Sequence, residues 1–228
     1  MINATHYVLD LETMGKGPRA AIAAIGCVRI EQGVITESLY RRVCLESSLQ
    51  VGLVMDASTV KWWLKQDAAA RAEVDGSQPS VLLPVALAAL EEFITEDKAL
   101  VWGNGSSFDN VIVRSALDAC GIGNLWHFWN DRDLRTLLAL YPEAKQVPFE
   151  GTKHHALDDA LHEAKQLLAA LRLSCPASRA LPVEQIMSQA QVYASACAIA
   201  GTAFDKGDGM DTAALEKRAL RRMLEELA

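Results

Sequence analysis

Asp10 and Glu12 stand two residues apart in the β-rich run that begins at Tyr7. Strand alternation points both side chains to one face. Burying two carboxylates together beside Val8 and Leu9 is costly unless a cation neutralises them. Asp109 opens a helix after the short apolar run Leu100 to Trp102 and the turn Gly103-Asn104-Gly105. Asp159 lies in the first turn of a long amphipathic helix, five residues after His154. Singly, each acid has a bland explanation: Asp-x-Glu is common, and Asp109, Asp158 and Asp159 suit helix N-termini through the macrodipole. Together they form an ordered set, at the carboxyl ends of the first and fourth strands and on a histidine-led helix. That order points to an acidic site for metal ions.

The elements that position these residues follow from pattern. Tyr7 to Leu11, Ala20 to Ile30 and Val34 to Leu45 read as three consecutive strands, with Glu31-Gln32-Gly33 as a hairpin turn. Ser58-Thr59 is the expected cap of a helix through Val60, Trp63 and Leu64. Leu83, Leu87, Leu90 and Ile94 have helical spacing, and Pro84 is tolerable in a first turn. Leu100 to Trp102 is the fourth strand, followed by a helix from Ser107 to Cys120 with Gly121 beyond its end. Leu125 to Trp129 reads as a short aromatic fifth strand, and Asp131 or Asp133 as the cap of a helix through Leu140. His155 to Leu173 is the amphipathic helix. Three strands followed by alternating strands and helices predict an α/β mixed sheet, its first three strands antiparallel, flanked by helices. Beyond Pro176 the texture changes to helical stretches over 183–200 and 212–227, so a domain boundary is expected near residues 174–182.

Composition bounds the function. The 228 residues are 50% apolar and 22% charged, enough for a buried core. Against 29 acidic residues stand 22 basic ones, a net charge of -7, which disfavours a protein that grips long nucleic acid by bulk electrostatics. The five scattered cysteines contain no Cys-x-x-Cys pair and read as reduced thiols. No signal peptide fits the first residues and no apolar stretch reaches membrane-spanning length, so a cytoplasmic chain without membrane contact is expected.

Three stretches carry a resemblance to a known family. Val8 to Thr13 (VLDLET), Trp102 to Asn110 (WGNGSSFDN) and His154 to Ala160 (HHALDDA) resemble the three motifs of the DEDD 3′–5′ exonucleases, of RNase H-like fold, in their histidine form, His-x4-Asp. The stretch Met55 to Trp63 and the segment Asp133 to Thr136 resemble one branch, which holds phage-type exonucleases, exodeoxyribonuclease VIII-like proteins and a mycobacterial-type exoribonuclease. The resemblance covers about residues 5–173. It implies a five-stranded nuclease domain over 1–175 with a helical C-terminal extension over 176–228.

It also implies that Asp10, Glu12, Asp109 and Asp159 bind two divalent cations. Mg²⁺ or Mn²⁺ suits such hard oxygen ligands, whereas no Cys/His cluster has the spacing of a structural zinc site. His154 would be the general base, releasing 5′-nucleoside monophosphates from single-stranded 3′ ends. His155 is the competing base, since it stands where the tyrosine form of the family has its tyrosine. Glu12 and the backbone of Thr13 and Met14 would hold the terminal hydroxyl; Leu11 and Asn104 would line the substrate site. Phe108 and Trp63 would stack a base, with core packing the competing role for Trp62 or Trp63. A homodimer is expected by the same resemblance. DNA is slightly favoured as substrate. Trimming of RNA 3′ ends and a catalytically idle nucleic-acid-binding module are the alternatives. On the C-terminal helix, Lys217, Arg218, Arg221 and Arg222 form a basic patch, for which a solvated face is the plainer reading.

Overall fold

The structure is a computed structural model that describes residues 4–96, 98–174, 183–199, 214 and 216–222. The strands are β1 (His6–Thr13), β2 (Ile22–Glu31), β3 (Val34–Arg42), β4 (Leu100–Gly103) and β5 (Asp131–Asp133). The α-helices are α1 (Leu45–Gln50), α2 (Ala57–Trp63), α3 (Ala68–Arg71), α4 (Leu83–Phe93), α5 (Asp109–Ala119), α6 (Leu134–Leu140), α7 (Ala156–Ser174) and α8 (Val183–Ile199). One sheet of order β3-β2-β1-β4-β5 runs antiparallel through its first three strands in sequence and parallel from β1 to β4 to β5. This is the mixed sheet that the sequence pattern predicts. The β2–β3 turn closes on Gln32 (φ 50°) and Gly33 (φ 77°), two positive dihedrals of the kind a tight hairpin turn uses.

Two differences are local. The fifth strand is the charged tripeptide Asp131–Asp133, not Leu125 to Trp129. Trp126 instead buries its ring and donates its indole N–H to Asp131 Oδ1 (2.8 Å), while Phe128–Asn130 forms a 3₁₀ turn. The cap of α2 is Asp56, whose carboxylate accepts from Thr59 N–H (2.7 Å) and both neighbouring hydroxyls, so Ser58 and Thr59 lie inside the helix. Asp133 caps α6 by accepting from Thr136 N–H.

The chain divides into two compact units, 1–172 and 173–228. In the first, β1 sorts its side chains by alternation. Tyr7, Leu9 and Leu11 enter one apolar cluster with Leu87 and Leu90 of α4 and Ile112 and Leu117 of α5. Val8 enters the other, with Leu134 and Leu138 of α6 and Ala160, Ala164 and Leu167 of α7. Asp10 and Glu12 share the face of Val8, so they look toward α7. Opposite them on β2 are Gly26 and Ala24, which leave room above the strand. The start of α7 fills that room: a Cβ on Gly26 would sit 2.1 Å from the Ala156 carbonyl oxygen. Gly26→Ala therefore lifts α7 from the sheet. We expect a melting temperature lower by about 5 °C or more, read by calorimetry, because overpacking of this kind costs roughly 1–3 kcal/mol.

In the second unit α8 and residues 216–222 are helical, and Gln189 pairs with Glu216. Lys217, Arg218, Arg221 and Arg222 lie on its exposed surface; the rest of the expected helix over 212–227 falls outside the described residues.

Candidate active site

The site forms where β1 and β4 end and α5 and α7 begin. Gly103 ends β4, and a Cβ there would lie 2.7 Å from Asn110 Oδ1 and 3.0 Å from Asp109 Oδ2, so glycine lets α5 start hard against the strand. Asp109 can then reach across to accept the Leu11 N–H (3.2 Å). Asp159, in the first turn of α7, accepts the His154 N–H through Oδ2 (2.7 Å). Asp10, Leu11, Glu12, Asn104, Phe108, Asp109, Arg135, His154, Asp159 and Glu163 together line one pocket of about 420 Å³. Glu12, His154 and Asp159 offer ligand atoms all within 4.8 Å of one another.

The two adjacent histidines take separate places. His154 has a left-handed backbone (φ 63°) that costs a non-glycine residue of order 1 kcal/mol and aims its side chain at the acids. Its ring stands edge-on to Trp62 (4.9 Å between centroids) and Trp63 (6.2 Å). His155 caps α7, accepting the Asp158 N–H at Nδ1 (3.3 Å), and packs at a tilt against Tyr40 beside the buried Glu73. Glu73 is itself held by Arg42 and by the Tyr40 hydroxyl (2.6 Å). Asp158 turns away from the site and accepts the Thr152 N–H (2.8 Å) rather than facing solvent.

Burial and mutual repulsion dominate the electrostatics. Loss of solvent, then Asp159 and other acids, push Glu12 up to about 9. Burial raises Asp109 to about 7 against the pull of donated N–H groups. Burial and the Asp109 charge raise Glu163 to about 8. Asp10 is raised well above the carboxylate range by burial and by Glu163, and Asp159 is raised by burial. Folded values above unfolded ones mean that the cation-free fold holds extra protons. Its contribution from these groups is complete below about pH 4 and is lost as pH rises through about 7 to 9. We expect the melting temperature of chelator-treated protein to fall from pH 5 to pH 9, and added Mn²⁺ to offset that fall most at the alkaline end. A melting temperature insensitive to pH over that range would contradict this charge arrangement.

The sequence profile of the 3′–5′ exoribonuclease Rv2179c-like domain matches residues 5–171. The chain belongs to this family. It is a 3′–5′ exonuclease of that type. An exodeoxyribonuclease of Enterobacteria phage T4 is 26% identical over 202 residues, which cover 73% of this chain and 88% of the phage protein. Among solved structures, the nuclease domain of 3′hExo, a DEDDh family member bound to rAMP, aligns with a TM-score of 0.50 at 14% identity, over 75% of this chain and 93% of that one. E. coli exonuclease I in complex with a dT13 oligonucleotide aligns with a TM-score of 0.51 at 16% identity, over 81% of this chain and 43% of that one. These likenesses bear on the fold, which is the RNase H-like one expected.

Within the Rv2179c-like domain a second pocket of about 300 Å³ adjoins the acidic one, lined by Leu11, Glu12, Thr13, Gly15, Lys16, Thr59, Trp62, Trp63 and Phe108. Here the two roles expected of the tryptophans, packing and stacking, divide between the rings. Trp63 is only 2% exposed and donates its indole N–H to the Thr13 carbonyl (2.9 Å), so it packs. Trp62, 40% exposed, presents the open ring. Met14 is buried, its N–H donated to the Ala21 carbonyl and its carbonyl accepting from Asp56 N–H, which removes its backbone from terminal-hydroxyl recognition. Asn104 turns its side chain inward to Glu163 (Nδ2 to Oε1, 2.8 Å), and its carbonyl accepts from Arg135. Glu163 is the residue the motifs overlook. Lying four residues beyond Asp159, it shares that residue's helix face, which is a signal the sequence does contain.

Proposed function

We propose that this exonuclease hydrolyses single-stranded nucleic acid from the 3′ end to 5′-nucleoside monophosphates, using Asp10, Glu12, Asp109 and Asp159 to hold two divalent cations and His154 as general base. The observation that carries this is the gathering of five acids and one histidine in a single pocket beside an apolar one. The donor set fits the ions: carboxylate oxygens suit Mg²⁺ or Mn²⁺, and a half-buried to buried acidic cluster accompanied by Arg135 calls for added positive charge. Such cations polarise the phosphate and acidify water when bound.

The chain's own residues do the rest. Asp109 and Asp159 are fixed by main-chain N–H groups, so the cage is rigid before substrate arrives. A ring nitrogen of His154 takes the proton of the attacking water, and the Trp62 and Trp63 edges keep that ring from rotating away. The terminal base enters the adjoining pocket against Phe108 and the exposed Trp62, with Leu11 and Thr13 along its floor. Stacking of this kind tolerates any base.

DNA is the first reading of the substrate, supported by the phage exodeoxyribonuclease. RNA is the second, favoured by the family's description as exoribonucleases. An idle binding module is disfavoured, because a non-catalytic scaffold gains nothing from a repulsive acidic cluster. A cytoplasmic setting is supported by Cys27, Cys44 and Cys120 being free thiols; among the described residues no helix is long and apolar enough to cross a membrane. The homodimer and the division into a nuclease domain (1–175) and an extension (176–228) belong to the same proposal. Matched 3′-labelled DNA and RNA, incubated with Mg²⁺, Mn²⁺ or chelator, test it: cation-dependent mononucleotide release is expected. No release from either strand would overturn the reading.

A further inference from the structure

Glu163 is 5% exposed on α7, and only half of its carboxylate is satisfied. Oε1 accepts from Asn104, whereas Oε2 is buried with no hydrogen-bond partner among the described residues. Of the charges acting on Asp10, that of Glu163 is the strongest, and the strongest charge on Glu163 is Asp109. Glu163 lines the same pocket as Asp10, Glu12, Asp109, His154 and Asp159.

Packing alone does not call for an acid here. A glutamine would keep the Asn104 bond through its own carbonyl and would relieve the repulsion from four neighbouring carboxylates, Asp10, Glu12, Asp109 and Asp159. Leaving a buried carboxylate oxygen unpaired costs free energy that an apolar or amide side chain avoids. The cost is offset if a cation is the missing partner.

We propose that Glu163 is a fifth carboxylate of the cage, its unpaired Oε2 completing the ligands of a cation in the acidic pocket; this rests on the metal-dependent reading above. Glu163 also steadies the turn between β4 and α5 by accepting from the Asn104 side-chain amide. The two roles separate experimentally, because Glu163→Gln removes the charge but retains the Asn104 bond, while Asn104→Ala removes the bond but retains the charge.

The test is calorimetric titration of the full chain with MnCl₂, alongside melting temperatures in chelator. For Glu163→Gln we expect Mn²⁺ affinity at one site to fall about tenfold or more, as loss of a charged ligand does, with a higher melting temperature in chelator. Glu163→Asp, which keeps the charge, recovers part of the affinity. Asn104→Ala weakens Mn²⁺ less than Glu163→Gln. Wild-type Mn²⁺ affinity in Glu163→Gln, or an equal loss in Asn104→Ala, overturns the proposal and leaves the functional reading standing. A wild-type chain that binds no Mn²⁺ overturns both.

Discussion

Asp109→Asn abolishes nearly all turnover, lowering kcat/KM by about 10³-fold or more, while it raises the melting temperature of the chelator-treated protein. The rate effect follows from the loss of one carboxylate that would hold a divalent cation, since several kcal/mol of charge stabilisation from such a cation, at about 1.4 kcal/mol per decade, gives that factor. The opposite sign for stability follows from Asp109 being pushed up to about 7 by its surroundings. An asparagine can still accept the Leu11 N–H, and its amide hydrogens meet Asp10 and Glu163 as donors rather than as like charges. Roughly 1 kcal/mol of relief raises the melting temperature by about 2–4 °C in a chain of this size. A variant that is active within tenfold of wild type, or that melts lower in chelator, would refute the assignment.

The second large effect separates the paired histidines. His154→Ala is expected to lower kcat by about 10² to 10⁴, the usual worth of a positioned proton acceptor, with little change in KM. His155→Ala keeps kcat within about tenfold and lowers the melting temperature instead. It removes the cap of α7, worth about 1 kcal/mol, and the ring packed between Tyr40 and Glu73. A further variant sharpens the contrast: His154→Gly, at φ 63°, melts higher than His154→Ala because glycine accepts the left-handed backbone. Single-turnover rates and calorimetry on the three proteins decide the matter. Inverted rankings for His154→Ala and His155→Ala would move the proton acceptor to His155.

How much of this could be read from residue order depends on the kind of force involved. Asp10 and Glu12 were legible because strand alternation is a fixed geometric rule, and Asp109 and Asp159 because helix starts follow turn residues. The fifth strand was not. Asp131–Asp133 pairs with Val101 to Gly103 through its backbone, so its side chains carry no strand signature. Nearby aromatics with high strand propensity serve elsewhere, as Trp126 does in the core. The cap at Asp56 outcompetes Ser58 because a carboxylate can take three donors at once. Which tryptophan packs and which stays open depends on the direction in which α2 meets β1, a tertiary fact. Glu163 was hidden for another reason: it has the right helical spacing, but an acid on a charged helix reads as surface until its burial is known.

The division of labour along β1 also limits how this gene can change length. One codon inserted or deleted between His6 and Asp10 would turn Asp10 and Glu12 into the apolar cluster of Leu87 and Ile112, and would swing Leu9 and Leu11 toward α7. Such a register slip would damage catalysis and folding in one step, so length variation among related chains is expected in connections such as 75–80 and 121–124, and to be absent from the eight residues of this strand.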